Sequence, residues 1–507
     1  MNSKYIVTFL SPIIAALVIL FYYHRIPSTV QAVIETSNNR KELEKVINHY
    51  RNTGEKLKVR AAFFLISNLK KQYHYDGEGA NQYRKMFRLI ADSYDGRGLN
   101  RKWDSLQTRF SPGFPGKVSK VEDVRHVKSA YLIRHIDAAF NAWSYPWAKD
   151  LSFDDFCQFI LPYKIVNETP DSWMTALQTK NRWILKSKQK NIDRYDACLL
   201  LNNSLRKNFY FDLFPARWDI NFSELNILKA GSCYHATQYT AYTMRAMGIP
   251  VVMDFTPFWG NLNGGHEWNA LIYNNRPIPF VGAESDPGKT KIDLAFLRKR
   301  GKIFRHTYQI QPDNLIRKSG DQVPSFLTDY NIKDVTQQYI PVSNIQIQLN
   351  RIFPDARYVY INVFNRQNWC PLFYGYTDDD GKAVFTNMGR GIAYLPMYYE
   401  SGGFVPAAAP VILTAAGKVN YLRCNVYKKK TIIIHSKGPQ GPQIKKDQSY
   451  ELFYWKDEWL SAGKINAAAD SLRFKQVPSN TLYWIHNSEK SAKERIFTYE
   501  NNKQIWW

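Results

Sequence analysis

The sequence predicts an α+β protein with a helical N-terminal part, a mixed core and two β-rich modules at its C-terminal end. Three observations carry this. Apolar residues recur at helical spacing through the first third of the chain, as at Leu43, Val46, Ile47 and Tyr50. A helix followed by strands occupies the middle. From about residue 333, runs such as "NIQIQL" and "YVYINVF" alternate or are β-branched and aromatic. The 507 residues are long enough for about three or four domains. The expected divisions are 1–27, a signal peptide or membrane anchor; 28–185, helical; 186–332, the mixed core; 333–437, β-sandwich-like; and 438–507, a smaller β domain.

The elements follow in order. Tyr5–Tyr23 is apolar and uncharged, long enough as a helix to cross a hydrocarbon core if it is not cleaved. Lys4 precedes it and His24-Arg25 follow, and "VQA" (Val30–Ala32) offers a cleavage site. This places the protein in the cell envelope, exported or membrane-anchored. Ala32–Tyr75 and Lys120–Lys149 read as helical, and Ser152 with Asp155 marks a helix start that puts Cys157 on a buried face. In the β-rich part, Asp380-Gly381 marks a hairpin turn. The surrounding "TDDDGK" lacks the register of a calcium loop. Lys437–Gln448, rich in Gly, Pro and Lys, reads as a linker or long loop.

The formal net charge is +24, but the basic residues are largely dispersed, and Lys428–Lys430 is the only run of three lysines. No zinc-finger spacing or RNA-binding aromatic motif is present, which argues against nucleic acid and leaves an anionic envelope polymer or glycan as a partner. The five cysteines, Cys157, Cys198, Cys233, Cys370 and Cys424, include no C-x-x-C pair. Neither a metal site nor a disulfide framework is expected, and no cofactor is implied.

The chemistry gathers at "AGSCYHATQYTAYTMRAMGIP". Cys233 follows Gly231-Ser232 and opens a helical pattern that stops at Gly248 and Pro250. Helix N-terminal N–H groups favour a thiolate. "GGHEWNALIY" follows, and a strand starting there sets His266 and Trp268 on one face and Glu267 and Asn269 on the other. His266 beside the helix start would be the base for Cys233. The next strand ends in "VGAESDPG", where Glu284 is the first choice and Asp286 the second for the group that orients the imidazole. His235, two residues after Cys233, shares no helix face with it. The Cys233 N–H and the Trp218 side chain are the candidates for an oxyanion site.

These ordered segments resemble the transglutaminase-like superfamily, in which a Gly-x-Cys opens a helix, "R-x-x-GIP" ends it and "GHxW" begins a strand. Arg245, Gly248, Ile249 and Pro250 match the second element, and His266 and Trp268 the third. The acid segment departs from the common "D-P" and is similar to a "G-A-x-E-P" variant of multidomain bacterial members. The resemblance implies a papain-like cysteine-protease core over about 186–300 and a Cys-His-Asp/Glu triad. The expected activity is that of a cysteine hydrolase or acyl transferase on amide bonds of peptides or glycopeptides. The alternative is a catalytically inactive surface or periplasmic scaffold that binds glycan or protein through its β domains.

Overall fold

The computed structural model describes residues 25–110, 118–186, 192–212, 220–289, 298–312, 323–351, 353, 356, 358–436, 443–487 and 494–507. The expected membrane segment Tyr5–Tyr23 and the candidate Trp218 lie outside them. Among the described residues no helix is long and apolar enough to cross a membrane. The architecture is mixed α+β with several sheets.

The N-terminal part contains α1 (Ser28–Thr36), α2 (Arg40–Asn52), α3 (Lys56–Leu69), β1 (Tyr73–Asp76), α4 (Glu78–Ser93), α5 (Leu99–Phe110), β2 (Ser119–Glu122), α6 (Ser129–Trp143), α7 (Phe153–Phe159) and α8 (Trp173–Asn181). Leu43, Val46, Ile47 and Tyr50 are all buried, as the spacing predicts. Ser152 caps α7 by accepting from the Asp155 N–H, and Cys157 is buried. The helical readings of Ala32–Tyr75 and Lys120–Lys149 each overran by a strand. Tyr73–Asp76 and Ser119–Glu122 form an antiparallel ribbon instead. Both strands are four residues long and mostly polar, so no apolar period separates them from helix.

The middle contains α9 (Arg194–Asn208), β3 (Tyr210–Phe211), α10 (Phe222–Leu228), β4 (Ala230–Gly231), α11 (Cys233–Ala246), β5 (Val251–Thr256), β6 (His266–Tyr273), β7 (Arg276–Phe280), β8 (Phe304–His306) and β9 (Ile332–Asp334). The last five strands form one antiparallel sheet in the order β7-β6-β5-β8-β9. α11 lies against it with every residue from His235 to Ala246 buried. A helix covered on all sides needs neighbours beyond one sheet. Helices α6, α8, α9 and α10 supply them. One apolar cluster therefore runs from Val30 to Tyr308 across the expected 185/186 division.

α11 ends in a Schellman motif: Ile249 N–H donates to Met244 O (2.9 Å) and Gly248 N–H to Arg245 O (3.0 Å). Gly248 has φ 69°, and a Cβ there would fall 2.3 Å from the Ala142 carbonyl oxygen of α6. Buried Arg245 reaches Val251 O and Lys164 O, tying the helix end to the first strand of the sheet and to the N-terminal part.

Two further β units follow. The first contains β10 (Val342–Gln348), β11 (Tyr358–Asn365), β12 (Asn368–Thr377), β13 (Lys382–Gly389), β14 (Ile392–Glu400), β15 (Gly403–Pro406), β16 (Val411–Leu413) and β17 (Val419–Tyr421). They form one sheet in the order β10-β13-β12-β11-β14-β16-β17, with β15 on β14. The turn at Asp380-Gly381 joins β12 to β13, with Gly381 N–H on Asp378 O. The second contains β18 (Asn425–His435), β19 (Ser449–Trp455), β20 (Trp459–Asn466), β21 (Ser471–Ser479), β22 (Tyr483–Asn487), β23 (Ile496–Glu500) and β24 (Lys503–Trp506). Because β18 pairs with β21, the change of unit falls near residues 422–425 rather than at 437/438. The Gly/Pro/Lys stretch read as a linker lies between two strands of one unit, and its residues 437–442 are outside the described ones.

The two β units hold the loop between β5 and β6. Asn365, 1% exposed at the end of β11, accepts from Gly264 N–H (2.9 Å) and donates to Leu262 O and Gly264 O. Arg495, also 1% exposed, donates to Phe364 O, Gly260 O and Trp507 O and to the Asn263 side chain. No carboxylate pairs with this guanidinium among the described residues, and burial pulls its pKa down to about 9.

Two outcomes test this picture. Gly248→Ala is expected to lose about 2–4 kcal/mol of stability, from left-handed strain plus the clash with the Ala142 carbonyl, read by urea unfolding. Burial pulls His135, His235, His266 and His306 down to about 4. Between pH 6.5 and 4 the unfolded chain binds protons that these folded histidines refuse. Stability is therefore expected to fall as pH drops through that window. A thermal midpoint unchanged from pH 6.5 to 4 would contradict it.

Candidate active site

Local sequence fixes the place of Cys233. The chain leaves β4 through Gly231 at φ 152°, where a Cβ would fall 2.6 Å from His235 Cβ. Ser232 takes the N-cap position. His235 Nδ1 faces the Ser232 N–H (3.3 Å) and hydroxyl (3.1 Å). His235 is thus part of the helix cap, and burial keeps it neutral down to about pH 4. This explains a histidine so near the cysteine without giving it the part of base.

Cys233 is half-buried at the first turn of α11. Its sulfur meets the N–H groups of Glu267, Tyr234 and Cys233 itself, which favour the thiolate. Burial and the Glu267 charge oppose them and prevail, so the thiol pKa lies above its usual value. The helix terminus alone predicted the opposite direction. The start of β6 therefore does come to the helix N-terminus, and the residue whose carboxylate acts on the thiol is Glu267.

The strand's alternation explains this. Asn269, on the Glu267 face, donates to Thr237 O on α11 (2.9 Å), so that face meets the helix. Trp268 is buried on the other face with Val281, Ile303 and Val335. His266 stacks with Trp259 and Trp268, at centroid distances of 6.0 and 6.1 Å. Burial, then Arg298 and Arg300, pull its pKa to about 4. The imidazole is neutral at pH 7. Among the described residues no hydrogen bond joins it to Cys233.

The two candidate carboxylates lie elsewhere. Asp286 pairs with Arg206 of α9 (2.6 Å) and faces Asn202. Glu284 is exposed in a turn closed by its N–H on Val281 O (3.0 Å). Neither is hydrogen-bonded to His266. The strand register set β7 correctly against β6, with Phe280 opposite Asn269, but the turn after it leads toward α9. Asn202 draws it there, accepting from Ala283 N–H (2.9 Å) and donating to Ser285 O (2.9 Å).

No protein-family model matches the chain, and no curated protein does. Among solved structures it is similar to one described as "a Putative Cysteine Protease from Cytophaga hutchinsonii". The identity is 18%, over 27% of this chain and 45% of that chain, with a TM-score of 0.21.

Sequence reading missed Glu267 as the thiol's neighbour, although the alternation had already set it opposite His266. The missing information was which face meets α11. Asn365 and Arg495 were also missed, because nothing local links them to a loop more than a hundred residues earlier. No metal-binding cluster of His, Cys, Asp or Glu is found among the described residues.

The thiol makes a direct prediction. Iodoacetamide reacts with the thiolate, so labelling of Cys233 is expected to keep rising with pH past 9. A plateau by pH 7 would show the reverse balance. Glu267→Gln removes the opposing charge and is expected to speed labelling at pH 8. Peptide-resolved mass spectrometry separates Cys233 from Cys157, which burial pushes up to about 12.

Proposed function

We propose that the protein is an envelope cysteine hydrolase or acyl transferase acting on amide bonds of peptides or glycopeptides. The observation that carries this reading is the thiol of Cys233 at a helix N-terminus, in contact with the N–H that follows His266. In the reaction, Cys233 Sγ attacks the amide carbonyl. In this reading the neutral His266, which stacks on Trp268 on the face of β6 away from α11, turns toward Cys233, takes the thiol proton and delivers it to the leaving amine, so that the C–N bond breaks and a thioester forms. Water or an amine then releases the acyl group, with His266 again accepting and returning the proton. In this reading the N–H groups of Cys233 and Tyr234 pass from the thiol to the carbonyl oxygen as charge develops on it.

Stacking on Trp259 and Trp268 is where the imidazole rests before it turns to the thiol, and in this reading neither Glu284 nor Asp286 orients it. A raised thiol pKa suits proton transfer during attack rather than a preformed thiolate.

A second reading is favoured by the Glu267 carboxylate beside the thiol. It makes the core a silent scaffold and the β units the binding part, directed at glycan or protein. The two readings separate on the full chain incubated with a glycopeptide digest. The first expects an acid-stable thioester on Cys233, found by mass after quenching. It also expects His266→Ala to lower turnover by about 10²–10⁴-fold, and Glu284→Gln and Asp286→Asn to keep it within about threefold. An adduct on another cysteine, or retention of the digest by Cys233→Ala with no turnover by the unaltered protein, would favour the scaffold.

A further inference from the structure

Away from the cysteine, the end of α3, the β1–β2 ribbon and residues 328–330 enclose a groove of about 530 Å³. Lys70, Lys71, Lys120 and Arg125 line it. Its carboxylates do not balance them. Glu122 is taken by Arg125 at 2.8 Å. Asp329 is half-buried and acts electrostatically on Lys120, one carboxylate against three lysines. Among the described residues Lys70, Lys71 and Lys120 have no carboxylate within ion-pair distance. Two of these ammonium groups are held on the walls by tyrosine rings: Lys71 Nζ lies 4.0 Å from the Tyr330 centroid and Lys120 Nζ 4.5 Å from that of Tyr73. A ring beneath an ammonium steadies it without using its N–H donors on an acid, which leaves them for a ligand.

The groove continues into a second cavity of about 240 Å³ that shares Lys70, Glu122 and Arg125 and adds Thr36, Ser37 and Asn38. The cationic lining is therefore elongated, with its charges spread along it. The free cations are lysines, compact point charges of the kind that hold phosphate. The one guanidinium, Arg125, donates to Glu122 through its Nε. We propose that this trough binds an elongated ligand carrying two or more phosphate groups, at a site separate from Cys233.

Inorganic tripolyphosphate is a direct probe. Titration calorimetry on the full chain at low salt is expected to give saturable binding with a Kd on the order of 10–100 μM, weakening as salt is added. Lys71→Ala combined with Lys120→Ala is expected to weaken it at least tenfold. Lys464→Ala, on the exposed face of the last β unit, and Cys233→Ala are expected to leave it unchanged. The ligand should also protect Lys71 and Lys120 from acetylation, read by peptide mass spectrometry, which locates the site without any variant. No saturable binding, equal binding of trigalacturonate, or a double variant within twofold of the unaltered protein would overturn the proposal. None of these readouts depends on catalysis at Cys233.

Discussion

The fastening of the loop between β5 and β6 is the constraint on which the site depends. This loop delivers His266 and carries Trp259, and its own sequence, rich in Gly and Asn, does not fix its shape. Asn365 uses both ends of its amide on it, and Arg495 spends its donors on main-chain oxygens from the loop, from β11 and from the end of the chain. A buried guanidinium without an acid is costly unless every donor is satisfied. Carbonyl oxygens take four of its five N–H donors here, and they come together only when the three segments are assembled. The β units are thus part of the frame of the cysteine site and not merely appended to it.

Buried charge also ties the N-terminal part together. Asp123, 1% exposed, accepts from Tyr163 and Lys164 (both 2.6 Å) and pairs with His74 at 2.7 Å. Its carboxyl stays below the usual range despite burial, chiefly through Lys164. On the opposite side of the sheet, Arg305 meets Asp254 through two bonds of 2.8 Å, and Tyr339 donates to the same carboxylate. Removing one partner of such a group strands the other in a medium that cannot solvate it, so each network fixes which elements may meet. Asp254 lies on β5, two residues before the strand's end, so this second network steadies the sheet just where the fastened loop leaves it.

Much of the fold was legible because its signals are local. The α7 cap at Ser152, the turn at Asn274-Asn275 with φ of 50° and 60°, and the Asp380-Gly381 hairpin each rest on a few adjacent residues. The cysteine, its helix and the histidine strand were legible for the same reason. Which face of β6 meets α11 was not, because both faces carry buried residues and alternation alone cannot rank them. Nor could local pattern show that β18 belongs with β21. Where the turn bearing Glu284 and Asp286 goes was not legible either, because it is held by Asn202 and Arg206, far back in the chain.

The Arg495 fastening also has a consequence for how the protein is made. Synthesis passes His266 and must continue for 229 more residues (495 − 266) before the guanidinium that closes the loop exists. At bacterial and eukaryotic elongation rates of about 5–20 residues per second, that is on the order of 10–50 s. During that interval the helix bearing Cys233 can already be housed, while the segment that faces it is unsecured. The nascent chain thus completes its framework first and the loop beside Cys233 last.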